Sequence, residues 1–156
     1  MINRVLEETD ANYCDTLLTK LIQEERLYDS SIDTNFKVKN YFKNIIKKKN
    51  NILLCYKEDN NIIGYIYLKP TSNDTQKGYL IDGLYVEKEY RNNGVGRKLV
   101  KEALKNINTK YDYIDINVLY ANKIAIELYK SLGFKEFKIT MKIEKRHNPW
   151  EYKIIK

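Results

Sequence analysis

The stretch LYVEKEYRNNGVGRKLV, residues 84–100, decides how the rest of this chain is read. A short apolar strand, Leu84-Tyr85-Val86, gives way to a polar turn. Two asparagines follow, then two glycines one residue apart, then the apolar pair Leu99-Val100 at helical spacing. A chain with only six glycines spends two of them, Gly94 and Gly96, at this strand-to-helix junction. A helix start carries unpaired N–H groups and a partial positive charge, so it suits an anion. Glycine lets backbone approach such an anion without a β-carbon in the way, and Arg97 adds a full charge. The chemistry asked for is a phosphate or pyrophosphate, although an ordinary strand-to-helix turn would also use these residues. The P-loop pattern GxxxxGK[ST] and the dinucleotide pattern GxGxxG are both absent.

Working outward, residues 2–7 read as a strand. Thr9 or Asp10 caps a helix with a stripe of Leu17, Leu18, Leu21 and Ile22. Residues 36–49 give a second helical pattern, with Val38, Tyr41, Phe42, Ile45 and Ile46 on one face. After Asn50-Asn51 the period changes to that of a hairpin, ILLCYKEDNNIIGYIYL, turning at Asp59-Asn60-Asn61. A strand over 79–86, a helix from Gly94 to Asn106, a strand over 113–119 and a helix from Asn122 to Ser131 follow, the last closed by Gly133. FKEFKITMKIEK reads as one long strand or two short ones, and WEYKII as an edge strand or a tail. Helices between strands make this an α/β chain with a mixed, mostly antiparallel sheet, taken as a single domain over 1–156.

Composition narrows the function classes. No apolar run approaches the roughly 20 residues that cross a bilayer, and MINRVLEETD has acidic residues where a signal peptide is apolar. The expectation is a cytoplasmic protein that engages no membrane. Cys14 and Cys55 fit packing better than a disulfide framework or a metal site. The formal charge of +7 is spread along the chain, and Lys47-Lys48-Lys49 fall at the end of an expected helix, where cations complement the dipole. No zinc-finger spacing or aromatic RNA-binding signature accompanies them, so no nucleic-acid partner is expected. The solitary histidine, His147, supports neither a metal site nor a Ser-His-Asp triad and has no assigned role.

Two motifs, taken together, resemble the GNAT-type N-acetyltransferases. Arg91-Asn92-Asn93-Gly94-Val95-Gly96 matches the pattern [RQ]-x-x-G-x-[GA] that follows a strand in that family. Asn122, Ala125, Tyr129, Gly133 and Phe134 match its second motif in order and spacing. The resemblance covers residues 79–136, and before residue 50 it rests on element order alone. It implies acetyl-CoA as co-substrate, with the pyrophosphate on backbone N–H groups of Asn92, Asn93, Gly94, Val95, Gly96 and Arg97 after Arg91. It also implies a bulged strand splayed from its neighbour, with the pantetheine arm along Tyr85 and Val86, and Asn122 helping to hold that arm while capping its helix. The backbone N–H of Leu84 would then polarise the thioester carbonyl, and Tyr129 would protonate the departing thiolate. No metal is required.

Asp82 is the candidate base. If strand alternation holds, it shares a face with Leu84 and Val86. It either takes a proton from the acceptor amine, directly or through water, or makes a local hydrogen bond beside Gly83. The acceptor site is expected between the first two helices, where EERLYDSS (24–31) clusters Glu24, Glu25 and Asp29 around Tyr28. That cluster is either a solvated helix face or a lip for an amine. The leading expectation is transfer of acetyl to a primary amine, with a small-molecule acceptor favoured over a peptide. A catalytically silent acyl-CoA sensor or partner-binding module on the same fold is the rival. A homodimer is compatible with both, as two-fold pairs are the commonest closed assembly.

Overall fold

A computed structural model describes residues 1–144. Its elements run β1 (Ile2–Arg4), α1 (Glu8–Glu25), α2 (Phe42–Ile45), β2 (Ile52–Glu58), β3 (Asn61–Ser72), β4 (Lys77–Val86), a 3₁₀ turn (Lys88–Tyr90), α3 (Val95–Lys105), β5 (Tyr113–Ile116) and α4 (Lys123–Ser131). The five strands lie in sequence order in one sheet. All neighbours are antiparallel except β4 and β5, which are parallel. The α/β class and the mixed sheet flanked by helices are as the sequence predicts.

The sheet separates two cores. On one face α1 and α2 cover Leu53, Cys55, Tyr65, Tyr67 and Tyr85; on the other, α3 covers Leu54, Ile66, Leu68, Tyr79 and Ile81. Both cysteines are free and buried. β3 runs through both cores with seven consecutive buried residues, Ile62 to Leu68, as befits a central strand covered on both sides.

A β-bulge in β4 departs from simple alternation. Tyr67 opposes Gly83, yet its neighbour Leu68 opposes Ile81, so Asp82 is the extra residue. Such an insertion rotates the side chains beyond it by one position. Ile81 and Leu84 therefore face α3, while Asp82 turns to the α1 side. Asp82 thus does not share a face with Leu84 and Val86, correcting the expectation from alternation.

At Gly83 a β-carbon would sit 2.5 Å from the Tyr65 hydroxyl. Tyr65 is fully buried and its hydroxyl has no hydrogen-bond partner. Leaving a buried donor unmade costs about 1–3 kcal/mol. Tyr65→Phe is therefore expected to raise the denaturation midpoint, and Gly83→Ala to lower it in the wild-type background but much less in the Tyr65→Phe background. Equal losses from Gly83→Ala in both backgrounds, read by urea denaturation, would show that the hydroxyl is not the obstruction.

Three local expectations are corrected. Helix α1 is capped at Glu7, not Thr9 or Asp10, and that cap makes no side-chain hydrogen bond. Residues 36–41 are not helical: Asn40 is left-handed (φ 59°) and only Phe42–Ile45 forms a helix. The reason is tertiary, since Asp15 on α1 accepts hydrogen bonds from the N–H groups of Tyr41 and Phe42, and Thr19 from that of Val38. Those side chains tie the segment to α1. The expected strand over 134–145 is absent among the described residues. Residues 135–144 are irregular, with Phe137, Ile139, Met141 and Ile143 each at least 81 % exposed. Alternation alone makes no strand without a neighbouring edge to pair with. WEYKII and His147 lie outside the described residues.

Candidate active site

The junction between β4 and α3 is built from backbone. Glu87 N–H donates to Ile63 O on β3 at 2.8 Å, which fixes the end of β4. Asn92 and Gly94 are both left-handed (φ 65° and 77°), and the helix begins at Val95. Left-handed residues in such a loop can turn neighbouring N–H groups to one side, as in anion-binding nests. The first bond of α3 is Lys98 N–H to Gly94 O at 3.0 Å. None of the N–H groups of residues 92–97 has an acceptor among the described residues. Six consecutive unmade donors at a helix start are what a diphosphate would satisfy. Gly94 meets nothing within 4 Å of an added β-carbon, and Gly96 only side-chain methyls at 3.8–3.9 Å, so the loop is open above its backbone.

Arg91 and Arg97 are spoken for within the protein. Arg91 donates two hydrogen bonds to the Glu24 carboxylate (2.9 and 3.0 Å) and one through Nε to Val86 O (2.7 Å), and lies over the Tyr85 ring at 5.1 Å. This fork ties the loop to α1 and the end of β4. Its guanidinium positions the nest. The Tyr85 hydroxyl also donates to Glu24 at 3.3 Å, and burial with the Glu24 charge pushes its phenol up to about 12. Arg97 donates to Ser131 Oγ at 2.8 Å, tying α3 to α4.

Beside the nest the sheet opens. β4 and β5 pair over only four residues, from Gly78 with Tyr113 to Ile81 with Ile116. Beyond Ile81 the β5-side edge of β4 has no strand partner among the described residues. Because Glu87 N–H points to β3, alternation directs the main-chain groups of Tyr85 to β3 and those of Leu84 and Val86 to the open edge. Val86 O already accepts from Arg91, which leaves the Val86 and Leu84 amides facing the gap. The bulge at Asp82 coincides with the point where pairing stops.

On the α3 side of this gap, Asn122 caps α4, its Oδ1 accepting from Ala125 N–H at 3.3 Å. Gly133 (φ 96°) ends the helix as expected. Tyr129 is 6 % exposed and packs edge-on against Phe134, ring centroids 5.5 Å apart. Burial alone pushes its phenol up, so it holds its proton throughout the neutral range.

On the α1 side a cavity of about 510 Å³ is lined by α1, residues 36–42, Tyr67 and Asp82. That is within the usual range for small-molecule sites, about 300–1,000 Å³. Asp82 accepts from the Tyr41 hydroxyl at 3.3 Å. Of the acidic cluster at the end of α1, only Glu25 lines this cavity. Its carboxylate makes no ion pair or hydrogen bond among the described residues, and burial followed by the Asp29 charge pushes its pKa up. Glu24 points instead to Arg91. Asp29 accepts from both the N–H and the hydroxyl of Ser31, which hold its carboxyl below the usual range. Tyr28 is 40 % exposed and does not line the cavity. Sequence reasoning missed Tyr41, Tyr67 and Asp15. Asp15 and Thr19, one helical turn apart beside Leu17 and Leu18, were the readable signal: polar groups on a buried stripe need partners.

These features can be set beside known proteins. A family model described as the acetyltransferase (GNAT) family matches residues 17–134. An N-alpha-acetyltransferase of Sulfurisphaera tokodaii is 32 % identical over 94 residues, covering 52 % of this chain and 54 % of that protein. A thialysine N-epsilon-acetyltransferase of Sus scrofa is 31 % identical over 77 residues, 48 % of this chain and 45 % of that one. The chain thus spans about half the length of these curated relatives. Among solved structures, a variant of the BH1408 protein from Bacillus halodurans superposes with a TM-score of 0.77 at 19 % identity, covering 94 % of this chain and 99 % of that one. The aminoglycoside N-acetyltransferase AAC(6')-Iy, in complex with CoA, does so at 0.72 and 16 % identity, with coverage of 94 % and 99 %. No helix among the described residues is long and apolar enough to cross a membrane. With the glycine loop, the interrupted β4–β5 pairing and a family match extending over both motifs, the chain belongs to the GNAT acetyltransferase family.

Proposed function

We propose that this protein transfers an acetyl group from acetyl-CoA to a primary amine, most simply that of a small molecule. The observation that carries the reading is the run of six unmade N–H groups at residues 92–97, placed where β4 parts from β5. Those amides would hold the diphosphate, and the Val86 amide and Asn122 the pantetheine arm. Acetyl-CoA supplies an activated acyl group as its thioester.

The remaining work falls to the chain's own groups. The Leu84 N–H faces the open edge and serves as a fixed donor to the thioester carbonyl, where negative charge develops. The acceptor enters through the cavity on the α1 side. Its amine reaches the β4 bulge, where Asp82 takes the proton directly or through water. Tyr129 approaches from the opposite face, and its protonated phenol is the donor to the leaving sulfur. Base and acid thus lie on opposite faces of one strand edge, an arrangement the bulge creates by turning Asp82 away from Leu84.

The test is a thiol-release assay with acetyl-CoA across primary amines, among them amino acids, amino sugars, polyamines and basic peptides. Amine-dependent release is expected. Tight acetyl-CoA binding with no release for any amine would replace the enzyme by a silent acyl-CoA-binding module. Asp82→Asn is expected to lower kcat/KM for the amine by about tenfold or more with acetyl-CoA affinity unchanged; an unaltered kcat/KM would assign the base elsewhere.

A further inference from the structure

We infer that the acceptor amine carries an anionic group of its own, so that the preferred substrate is an amino acid-like zwitterion and not a simple amine or a diamine. The inference rests on reading the α1-side cavity as the acceptor site.

The charges around that cavity are unevenly divided. Its only carboxylates are Glu25 and Asp82, while Lys37 and Lys39 line it from the segment between the first two helices. A second cavity of about 250 Å³ adjoins it, sharing Tyr41 and Tyr67, and is lined by Lys48 and Lys69. All four lysines are exposed. None makes an ion pair or side-chain hydrogen bond among the described residues, whereas Lys20, Lys43, Lys57, Lys88 and Lys130 each have a carboxylate within 4.0 Å. Four lysines without a carboxylate partner among the described residues thus line two neighbouring cavities that share Tyr41 and Tyr67.

This arrangement orients a ligand. The reacting amine must reach Asp82 at the β4 bulge, next to the open strand edge. A body of a few methylenes then lies along Leu18, Leu21 and Val38. The far end meets the lysines, where a second ammonium would be repelled and an anion held. Opposed charges at the two ends also give discrimination by repulsion, which is how specificity among similar amines is built.

The experiment compares three ligands with similar five-carbon bodies: δ-aminovalerate, cadaverine and pentylamine. Calorimetry in the presence of saturating CoA measures affinity, and thiol release measures turnover. δ-Aminovalerate is expected to bind about tenfold more tightly than cadaverine, as two or three partly exposed ion pairs would give. Lys37→Glu with Lys39→Glu, at exposed positions outside the folded core, is expected to reverse that order with CoA affinity unchanged. Cadaverine binding as tightly as δ-aminovalerate, no measurable binding of any of the three, or an affinity ratio unmoved in the double variant would overturn the inference. Retained binding preference without thiol release would instead count against the catalytic reading alone.

Discussion

Tyr129→Phe is expected to lower kcat by about tenfold or more, within the range for loss of a general acid, while acetyl-CoA affinity stays nearly unchanged. The substitution isolates the hydroxyl. The ring keeps its burial and its edge-on contact with Phe134, and Tyr129 O still accepts the Phe134 N–H that closes α4. Stability should therefore be unaltered. The phenol is pushed up by burial, so its proton is present at every pH at which the enzyme would be assayed. Free thiols titrate near 8.5 (about that value in model compounds), so a neutral phenol does not protonate a thiolate spontaneously. Its contribution must come as the carbon–sulfur bond breaks and charge builds on sulfur. Two consequences are measurable. The variant should lose kcat uniformly across neutral pH, with no shift of the profile. Acyl donors with more acidic leaving thiols should be less sensitive to the substitution. Unchanged kcat in stopped-flow or steady-state assays would remove Tyr129 from the mechanism.

Asp15→Ala is expected to cost about 2–4 kcal/mol of stability, because it strips acceptors from two main-chain N–H groups, one of them buried. Asp15 is 4 % exposed; Oδ1 accepts from Phe42 N–H at 3.0 Å and Oδ2 from Tyr41 N–H at 3.2 Å. The same carboxylate starts α2 and holds Tyr41 where its hydroxyl reaches Asp82. Its loss should therefore act on catalysis selectively, raising KM for the amine several-fold while KM for acetyl-CoA stays put. Thr19→Val, which removes the acceptor for Val38 N–H (2.9 Å), should act in the same direction but more weakly. Chemical denaturation and steady-state kinetics with both substrates varied would check this. A loss below about 0.5 kcal/mol, the range of ordinary surface substitutions, with an unchanged amine KM would show that α1 does not position the cavity wall.

Local chemistry was readable where it is local. The Asp59-Asn60-Asn61 turn between β2 and β3, the Asn122 cap, the Gly133 helix end and the glycine loop each depend on residues within one turn of each other. Asn92 was harder: its left-handed backbone is a loop property that an asparagine tolerates but does not announce. The candidate site was half legible. Its proposed donor side rests on two motifs. Its acceptor side depends on which acidic residue faces inward, and Glu24 and Glu25, adjacent on one helix, necessarily point apart by about 100° (3.6 residues per turn).

Residue order alone thus determined the element types along most of the chain, the glycine loop at the start of α3 and the family. Periodicity, caps and glycines act through neighbours a few positions away, and need no knowledge of the rest of the molecule. Tertiary structure decided the remainder. The bulge that turns Asp82 toward the cavity arises from the register of β4 against β3, a pairing between residues 13 to 16 positions apart that no local pattern encodes. Residues 36–41 carry a helical pattern yet form no helix, because Asp15 and Thr19 on α1 bind the amides of Tyr41 and Val38. The alternating segment after Phe134 lacks a paired edge among the described residues, and hydrophobic alternation without an edge is not a strand.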